Sequence, residues 1–107
     1  MNEHMTHSVV IEIVTFKLKQ GVSIDEFKLL DKAVELGHVV KQSGFISRES
    51  AAGDNGEWLV VVHWKSVADA DASMASFPSA KAAEQFMSNL DVNTMSMKRY
   101  VSQKAIL

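Results

Sequence analysis

Hydrophobic and β-branched residues form four short runs that predict β-strands. These runs are Val9–Leu18 (VVIEIVTFKL), Phe45–Ala51 (FISRESA), Trp58–Trp64 (WLVVVHW) and Thr94–Val101 (TMSMKRYV). Such residues favour strands because their side chains pack well on a pleated surface. Between the second and third runs, residues 52–56 (AGDNG) are rich in residues that accept turn conformations, which predicts a hairpin loop.

Helical spacing follows the first strand. Ser23 and Glu26 have the spacing of a capping box, in which the two side chains satisfy free backbone N–H groups at a helix start. We expect this helix to run to about Lys41 and Gly44 to terminate it. The predicted buried stripe consists of Phe27, Leu30, Ala33, Val34 and Gly37.

A second helical segment follows the third strand. Ser66 is the expected cap of an alanine-rich helix, Val67–Ser76, which Phe77 and Pro78 interrupt. Ser79 is expected to restart the helix. The residues predicted to point inward from this second part are Ala83, Phe86, Met87 and Leu90.

The order of these elements predicts a β-α-β-β-α-β chain, an α+β fold of the ferredoxin-like kind. Right-handed crossovers place both helices on one face of a four-stranded, antiparallel-type sheet. We expect the first and third strands to be parallel neighbours at its centre. The 107 residues fit one domain, 1–107, with residues 1–7 predicted to be a flexible N-terminal segment.

Both faces of the predicted sheet are apolar. In the first strand Ile11 and Ile13 point to one face, while Val14 and Phe16 point to the other. In a sheet with one face exposed to solvent, each strand would instead alternate between apolar and polar residues. Two helices cover only one face, so we expect a second copy of the chain to cover the other, which predicts a homodimer.

Two polar residues interrupt the central strands, Glu12 and His63. If the two side chains meet, the carboxylate orients the imidazole, which is the arrangement that a general base needs. The alternative is that they satisfy each other structurally, at a dimer interface or a strand end. The register between the strands decides whether they meet, since a slip of one residue separates them.

Aromatic residues predict a pocket on the helix-covered face. Trp58 and Trp64 share a face by alternation. The residues that could line the pocket with them are Phe27, Met74, Phe77 and Phe86. The alternative is a filled core without a cavity. Arg48 and Glu49 are adjacent in a strand and point to opposite faces, so we interpret them as solvated or interface charges.

Composition excludes several classes of function. The chain has no cysteine, which excludes disulfides, iron–sulfur clusters and thiolate chemistry. The net charge is −2 and the lysines are scattered, so the sequence contains no basic cluster of the kind that binds nucleic acid. The sequence predicts neither a secretory signal nor a membrane span, and we expect a cytoplasmic protein. His4 and His7 are a poor metal site, because no further ligands accompany them. His38 is expected to face solvent or to lie at the edge of the buried stripe of the first helix.

Together these segments resemble a known family. Val10–Gly21 (VIEIVTFKLKQG), Val22–Phe27 (VSIDEF), Gly44–Glu49 (GFISRE) and Glu57–Ala70 (EWLVVVHWKSVADA) are similar to the antibiotic biosynthesis monooxygenase-like group of the dimeric α/β-barrel superfamily. The resemblance covers about residues 8–101. It implies two four-stranded sheets packed face to face, with a cavity between helices and sheet in each subunit.

The sequence departs from the motifs of the characterised members. Haem-degrading members use an asparagine on the first strand, a tryptophan on the third strand and a histidine on the next helix. Trp64 matches the tryptophan, but residues 8–18 contain no asparagine, and Met74 stands about where the histidine is expected. The quinone-forming monooxygenases use an asparagine shortly before the tryptophan, where this chain has Val60.

Three functions follow as hypotheses. The first is a monooxygenase-like enzyme, without cofactor or tightly bound metal, that acts on a small apolar aromatic or polyketide-like compound. In it His63 moves a proton, Glu12 orients His63, and Trp64 and Trp58 shape the pocket. The second hypothesis is a dimeric protein that binds a small ligand without changing it. The third is a structural dimer with a filled core.

Overall fold

The computed structural model describes residues 9–103, so the predicted flexible segment, 1–7, lies outside the described residues. The helices and strands are β1 (Val10–Leu18), α1 (Ile24–Gly37), β2 (Phe45–Ala52), β3 (Glu57–Trp64), α2 (Val67–Ser76), α3 (Ala83–Ser88) and β4 (Leu90–Val101). Two short 3-10 turns, Val39–Lys41 and Phe77–Ser79, follow α1 and α2. This order confirms the predicted ferredoxin-like α+β fold.

The four strands form one sheet in the order β2-β3-β1-β4, and every neighbouring pair is antiparallel. The prediction that the first and third strands run parallel is therefore wrong. The α1 crossover makes β1 and β2 parallel, and the hairpin then reverses the chain, so β3 runs against both of them. The direction of β3 thus follows from the hairpin at residues 52–56.

The capping box at the start of α1 is present as predicted. The Ser23 hydroxyl accepts from the Glu26 backbone N–H at 3.0 Å, and the Glu26 carboxylate accepts from the Ser23 N–H at 3.0 Å. Hydrogen bonding of the Glu26 carboxyl to the Ser23 backbone N–H, and less strongly to the Ser23 side chain, holds the pKa of this exposed carboxyl below its usual range. The helix ends at Gly37, earlier than predicted, because His38 leaves the helical conformation and acts as the C-cap.

The second helical region differs from its prediction after the proline. Ser66 caps α2 by accepting from the Asp69 N–H at 3.0 Å, as expected. Pro78 lies in a 3-10 turn, and α3 begins at Ala83 rather than at Ser79. Within residues 9–103, no helix combines the length and the apolar character that crossing a bilayer requires.

Aromatic side chains dominate the core between the helices and the sheet. Phe27 of α1 is fully buried, with ring centroids 5.6 Å from Phe16, 5.0 Å from Trp58 and 5.0 Å from Phe86. Burial of one phenylalanine side chain stabilises a fold by about 1.5–3 kcal/mol. The predicted buried stripe of α1 is correct for Phe27 and Val34. Ala33 and Gly37 were also predicted to be buried but are exposed, and Asp31 is buried instead.

The other face of the sheet is not covered by any described element of the chain. Its centre consists of the side chains of Ile11, Ile13, Leu59 and Val61, which are all half-buried. Glu49 on one edge strand and Lys98 on the other lie in the same row as Val61 and Ile13. We call this surface the open face.

Candidate functional site

A cavity of about 280 Å³ lies between the helices and the sheet. Its lining is almost entirely apolar, and only Glu12, Arg48 and Ser73 contribute polar side chains. The lining residues are Glu12, Val14, Phe16, Val34, Val39, Arg48, Val60, Val62, Trp64, Ser73, Met74, Phe77, Pro78, Phe86, Met87, Met95 and Met97. Concave apolar sites with a few placed polar groups are typical of small-molecule binding.

Glu12 brings a carboxylate to the wall of this cavity. Its exposed fraction is 6%, and its two oxygens accept from different donors. The indole Nε1 of Trp64 donates to Oε1 at 3.3 Å, and Nε of Arg99 donates to Oε2 at 2.9 Å. The buried carboxylate is thus both charge-compensated and fixed in direction, as a buried charge requires.

Arg99 connects Glu12 to the surface of the protein. Its guanidinium also forms an ion pair with the exposed Asp71 of α2. Burial lowers the pKa of Arg99, but the hydrogen bonds to Asp71 and Glu12 outweigh it and raise the pKa above its usual range. The guanidinium therefore stays charged and keeps Glu12 paired.

The predicted pair of Glu12 and His63 does not form. The antiparallel register places Glu12 opposite Val62 and His63 opposite Ile11. Directly opposite residues share a face and successive residues alternate, so Glu12 lies on the helix-covered face and His63 on the open face. The His63 Nδ1 instead lies 3.3 Å from the Ser47 hydroxyl.

Four of the six predicted pocket residues line the cavity, namely Trp64, Met74, Phe77 and Phe86. The other two, Trp58 and Phe27, lie in the adjoining core, with 3% and 0% of their surface exposed. Both tryptophans share a face, as alternation predicted, and the structure places them on the helix-covered one. Trp58 is not among the lining residues, and its indole Nε1 donates to Oδ1 of Asp31 at 3.4 Å.

Arg48 lies inside the protein, so its interpretation as a solvated or interface charge is wrong. Its side chain is 3% exposed. It donates to both oxygens of Asp31, at 2.8 and 3.0 Å, and to Glu35 at 3.1 Å. The Ser50 hydroxyl completes this cluster by donating to Asp31 at 2.7 Å. Arg48 is buried because it lies opposite Val62 on the helix-covered face; Glu49, on the other face, is exposed.

His38 is also buried, against the expectation of a solvent-facing or stripe-edge residue. It is 7% exposed and is held at the C-cap of α1, where α1 meets α2. Its Nε2 lies 3.4 Å from the Ser73 carbonyl and 3.3 Å from the Ser76 hydroxyl, while Nδ1 lies 3.3 Å from the Gln42 amide. Both ring nitrogens of His38 therefore have polar partners, which is why the imidazole can be buried where α1 packs against α2.

Within residues 9–103, no cluster of three or more histidine, cysteine, aspartate or glutamate side chains could hold a metal ion. The histidines His4 and His7 lie outside the described residues.

Three charged residues of the site were missed by reasoning from the sequence, namely Asp31, Arg48 and Arg99. Asp31 had a usable signal, because it lies four residues after Phe27 on the buried side of α1. Arg99 had none, since it lies 87 residues from Glu12 and only the register of β1 with β4 places them side by side.

No protein-family model matches the sequence, and no curated protein matches it. Among solved structures, SnoaB from Streptomyces nogalater, a cofactor-independent oxygenase, is similar with a TM-score of 0.73 at 12% identity, over 92% of this chain and 97% of that chain. A proposed antibiotic biosynthesis monooxygenase from Bordetella bronchiseptica has a TM-score of 0.71 at 12% identity, over 92% and 99%.

A conserved protein from Methanosarcina mazei Go1 is also similar, with a TM-score of 0.69 at 14% identity, over 92% of this chain and 97% of that chain. The protein is therefore a ferredoxin-like α+β protein with the monooxygenase-like fold that these structures share. The resemblance to antibiotic biosynthesis monooxygenase-like proteins is confirmed at the level of the fold.

Proposed function

We propose that this protein binds a small apolar aromatic compound in the cavity and oxygenates it with dioxygen, with Glu12 as the proton acceptor. The observation that carries the proposal is a carboxylate fixed by Trp64 and Arg99 in the wall of an otherwise apolar cavity of about 280 Å³. A buried, oriented carboxylate is suited to general base catalysis. The likeness to a cofactor-independent oxygenase supports the same class of reaction.

The proposed reaction converts a CH₂ group, activated by conjugation through an aromatic ring with a carbonyl, into a second carbonyl. Glu12 removes one proton, and the resulting carbanion passes an electron to dioxygen. The two radicals combine into a peroxide. The peroxide oxygen takes back the proton from Glu12, which completes the hydroperoxide and frees the carboxylate. Glu12 then removes the remaining C–H proton as the O–O bond breaks, which gives the carbonyl and a hydroxide, and it passes this proton to the hydroxide to form water. One oxygen atom thus enters the product and the other leaves as water.

The second candidate is a binding protein that holds such a compound unchanged. Val60 favours it, because this apolar residue lines the cavity where the resemblance implied the asparagine of quinone-forming enzymes. In that case the cavity needs only its shape and the hydrogen bond that Glu12 offers. Recovery of the ligand unaltered after aerobic incubation would support this candidate.

Oxygen uptake with the Glu12→Gln variant distinguishes these functions. We expect the wild-type protein to consume dioxygen with anthrone, a tricyclic CH₂ ketone, and the variant to lose about a hundredfold or more of that rate. Glutamine keeps the size of the side chain and loses the proton acceptor. Asp54→Asn, in the hairpin, removes a charge elsewhere and should leave the rate unchanged. A Glu12→Gln variant of full activity contradicts the assigned role.

We further propose that the open face associates with a second copy of the chain. Four half-buried apolar side chains occupy its centre, and no described element covers them. Contiguous apolar patches of this kind mark interaction sites. Opposite charges lie at the two ends of one row across this face, Glu49 on one edge strand and Lys98 on the other. A two-fold axis that places one edge of the first copy against the opposite edge of the second brings Glu49 of each copy to Lys98 of the other.

A further inference from the structure

We infer that the cavity selects uncharged aromatic ligands that carry a hydrogen-bond donor, and that it rejects carboxylates and other anions. This inference rests on the proposed function in taking the same cavity as the ligand site. It concerns the binding step alone, so it does not depend on whether the ligand is oxidised afterwards.

The first observation is the direction of the charges around Glu12. Glu12 lines the cavity, whereas Arg99, which compensates it, is not among the lining residues and lies further towards the surface. Arg99 also shares its charge with Asp71. A ligand therefore meets the negative end of the Glu12–Arg99 pair, and an anion placed there is repelled with little solvent screening.

The second observation is the charge balance around Arg48, the cationic residue of the lining. Its guanidinium is bound by Asp31 and Glu35, whose side chains are 8% and 20% exposed. Lys32 also pairs with Glu35, at 3.3 Å, so two positive and two negative charges leave this cluster without an excess positive charge. Arg48 is therefore already paired, and it does not offer the free cation that a bound carboxylate requires.

The third observation concerns the bonds that Glu12 can still form. Each carboxylate oxygen accepts more than one hydrogen bond, and Trp64 and Arg99 supply one donor to each. A ligand O–H or N–H can occupy a remaining acceptor position. Ser73 is the other polar side chain of the lining, and a single hydroxyl cannot replace the hydration of an anion.

Three naphthalenes that differ in one substituent test the inference by isothermal titration calorimetry at pH 7. 1-Naphthol is neutral and has a donor, 1-methoxynaphthalene is neutral without a donor, and 1-naphthoate is an anion. We expect 1-naphthol to bind about tenfold or more tightly than either of the others. Equal binding of 1-naphthoate, or no binding of 1-naphthol, overturns the inference.

Charge variants then identify the cause of the selectivity. Glu12→Gln should raise the affinity for 1-naphthoate about tenfold, and Glu35→Gln, which does not alter the lining, should raise it by a smaller factor. Asp54→Asn, in the hairpin, is the matched control and should change nothing. An unchanged ratio of affinities in Glu12→Gln overturns the inference. Selective binding without oxygen uptake would instead contradict only the proposed reaction, and oxygen uptake without selectivity only this inference.

Discussion

At the scale of single residues, Arg48 carries a charge into the interior, and two carboxylates of α1 compensate it. Its contact with Asp31 is bidentate, at 2.8 and 3.0 Å, and both side chains are almost fully buried. Removal of one partner leaves the other charge buried and unpaired, which is far more costly than removal of both. The free energy of unfolding of variants at these two residues therefore tests whether Arg48 and Asp31 are buried together.

We expect Arg48→Met to lower the free energy of unfolding by about 3–5 kcal/mol. The double variant Arg48→Met/Asp31→Leu should recover part of this loss, because it removes the unpaired carboxylate as well. Urea denaturation measures both values. Lys32→Met is the control, since the exposed Lys32 only pairs with Glu35 at 3.3 Å and should change stability by less than about 1 kcal/mol. A single variant as stable as wild type would contradict burial of the pair.

At the scale of elements, two glycines near the end of α1 differ in what they require. Gly44 has a φ of +80°, in the left-handed region, and a Cβ there would overlap the Asp69 carboxylate. Gly37 ends the helix with no neighbouring atom within 4 Å of an added Cβ. A glycine is therefore required at position 44, where the chain passes from α1 towards β2, and is not required at position 37.

We expect Gly44→Ala to destabilise the protein by more than about 1–2 kcal/mol, because alanine adds the left-handed strain and displaces Asp69 from the cap of α2. Gly37→Ala should instead stabilise it by up to about 0.5–1 kcal/mol, since alanine reduces the entropy of the unfolded chain. Thermal and urea unfolding of the two variants give the comparison. Equal effects of both substitutions would show that the backbone at Gly44 is unstrained.

At the scale of the whole molecule, the open face predicts a dimer that a single charge disrupts. We expect Val61→Glu, at the centre of that face, to weaken association about a hundredfold or more, because the interface would bury an unpaired carboxylate. Leu29→Glu on α1, where the leucine is 74% exposed, is the control and should leave the dimer intact.

Sedimentation equilibrium measures the mass of each variant. A monomeric wild-type protein, or a Val61→Glu variant that is still a dimer, contradicts the proposed association through the open face.

Local patterns predicted most of the fold. The capping box of Ser23 and Glu26, the cap at Ser66 and the alternation along β1 and β3 all appear in the structure where the sequence placed them. Each depends on residues a few positions apart, because helix caps satisfy nearby backbone groups and strand side chains alternate every residue. Errors in these elements were confined mainly to their ends, as at the early start of β4.

The site was less predictable, because its contacts join residues that are distant in the chain. The separation of Glu12 and His63 depended on a register that the sequence does not show, and a shift of one residue would have changed the face of each. The roles of Arg48 and Arg99 depended likewise on which face of an edge strand each one occupies.

The sequence by itself therefore determined the order of the elements, the caps of α1 and α2 and the apolar character of both sheet faces, since these follow from local spacing. Only the tertiary structure decided that β3 runs against β1, that Trp64 and Arg99 bind Glu12, and that a cavity remains beside the filled core. The physical reason is that strand direction, register and packing are set by contacts between elements, which spacing along one element does not specify.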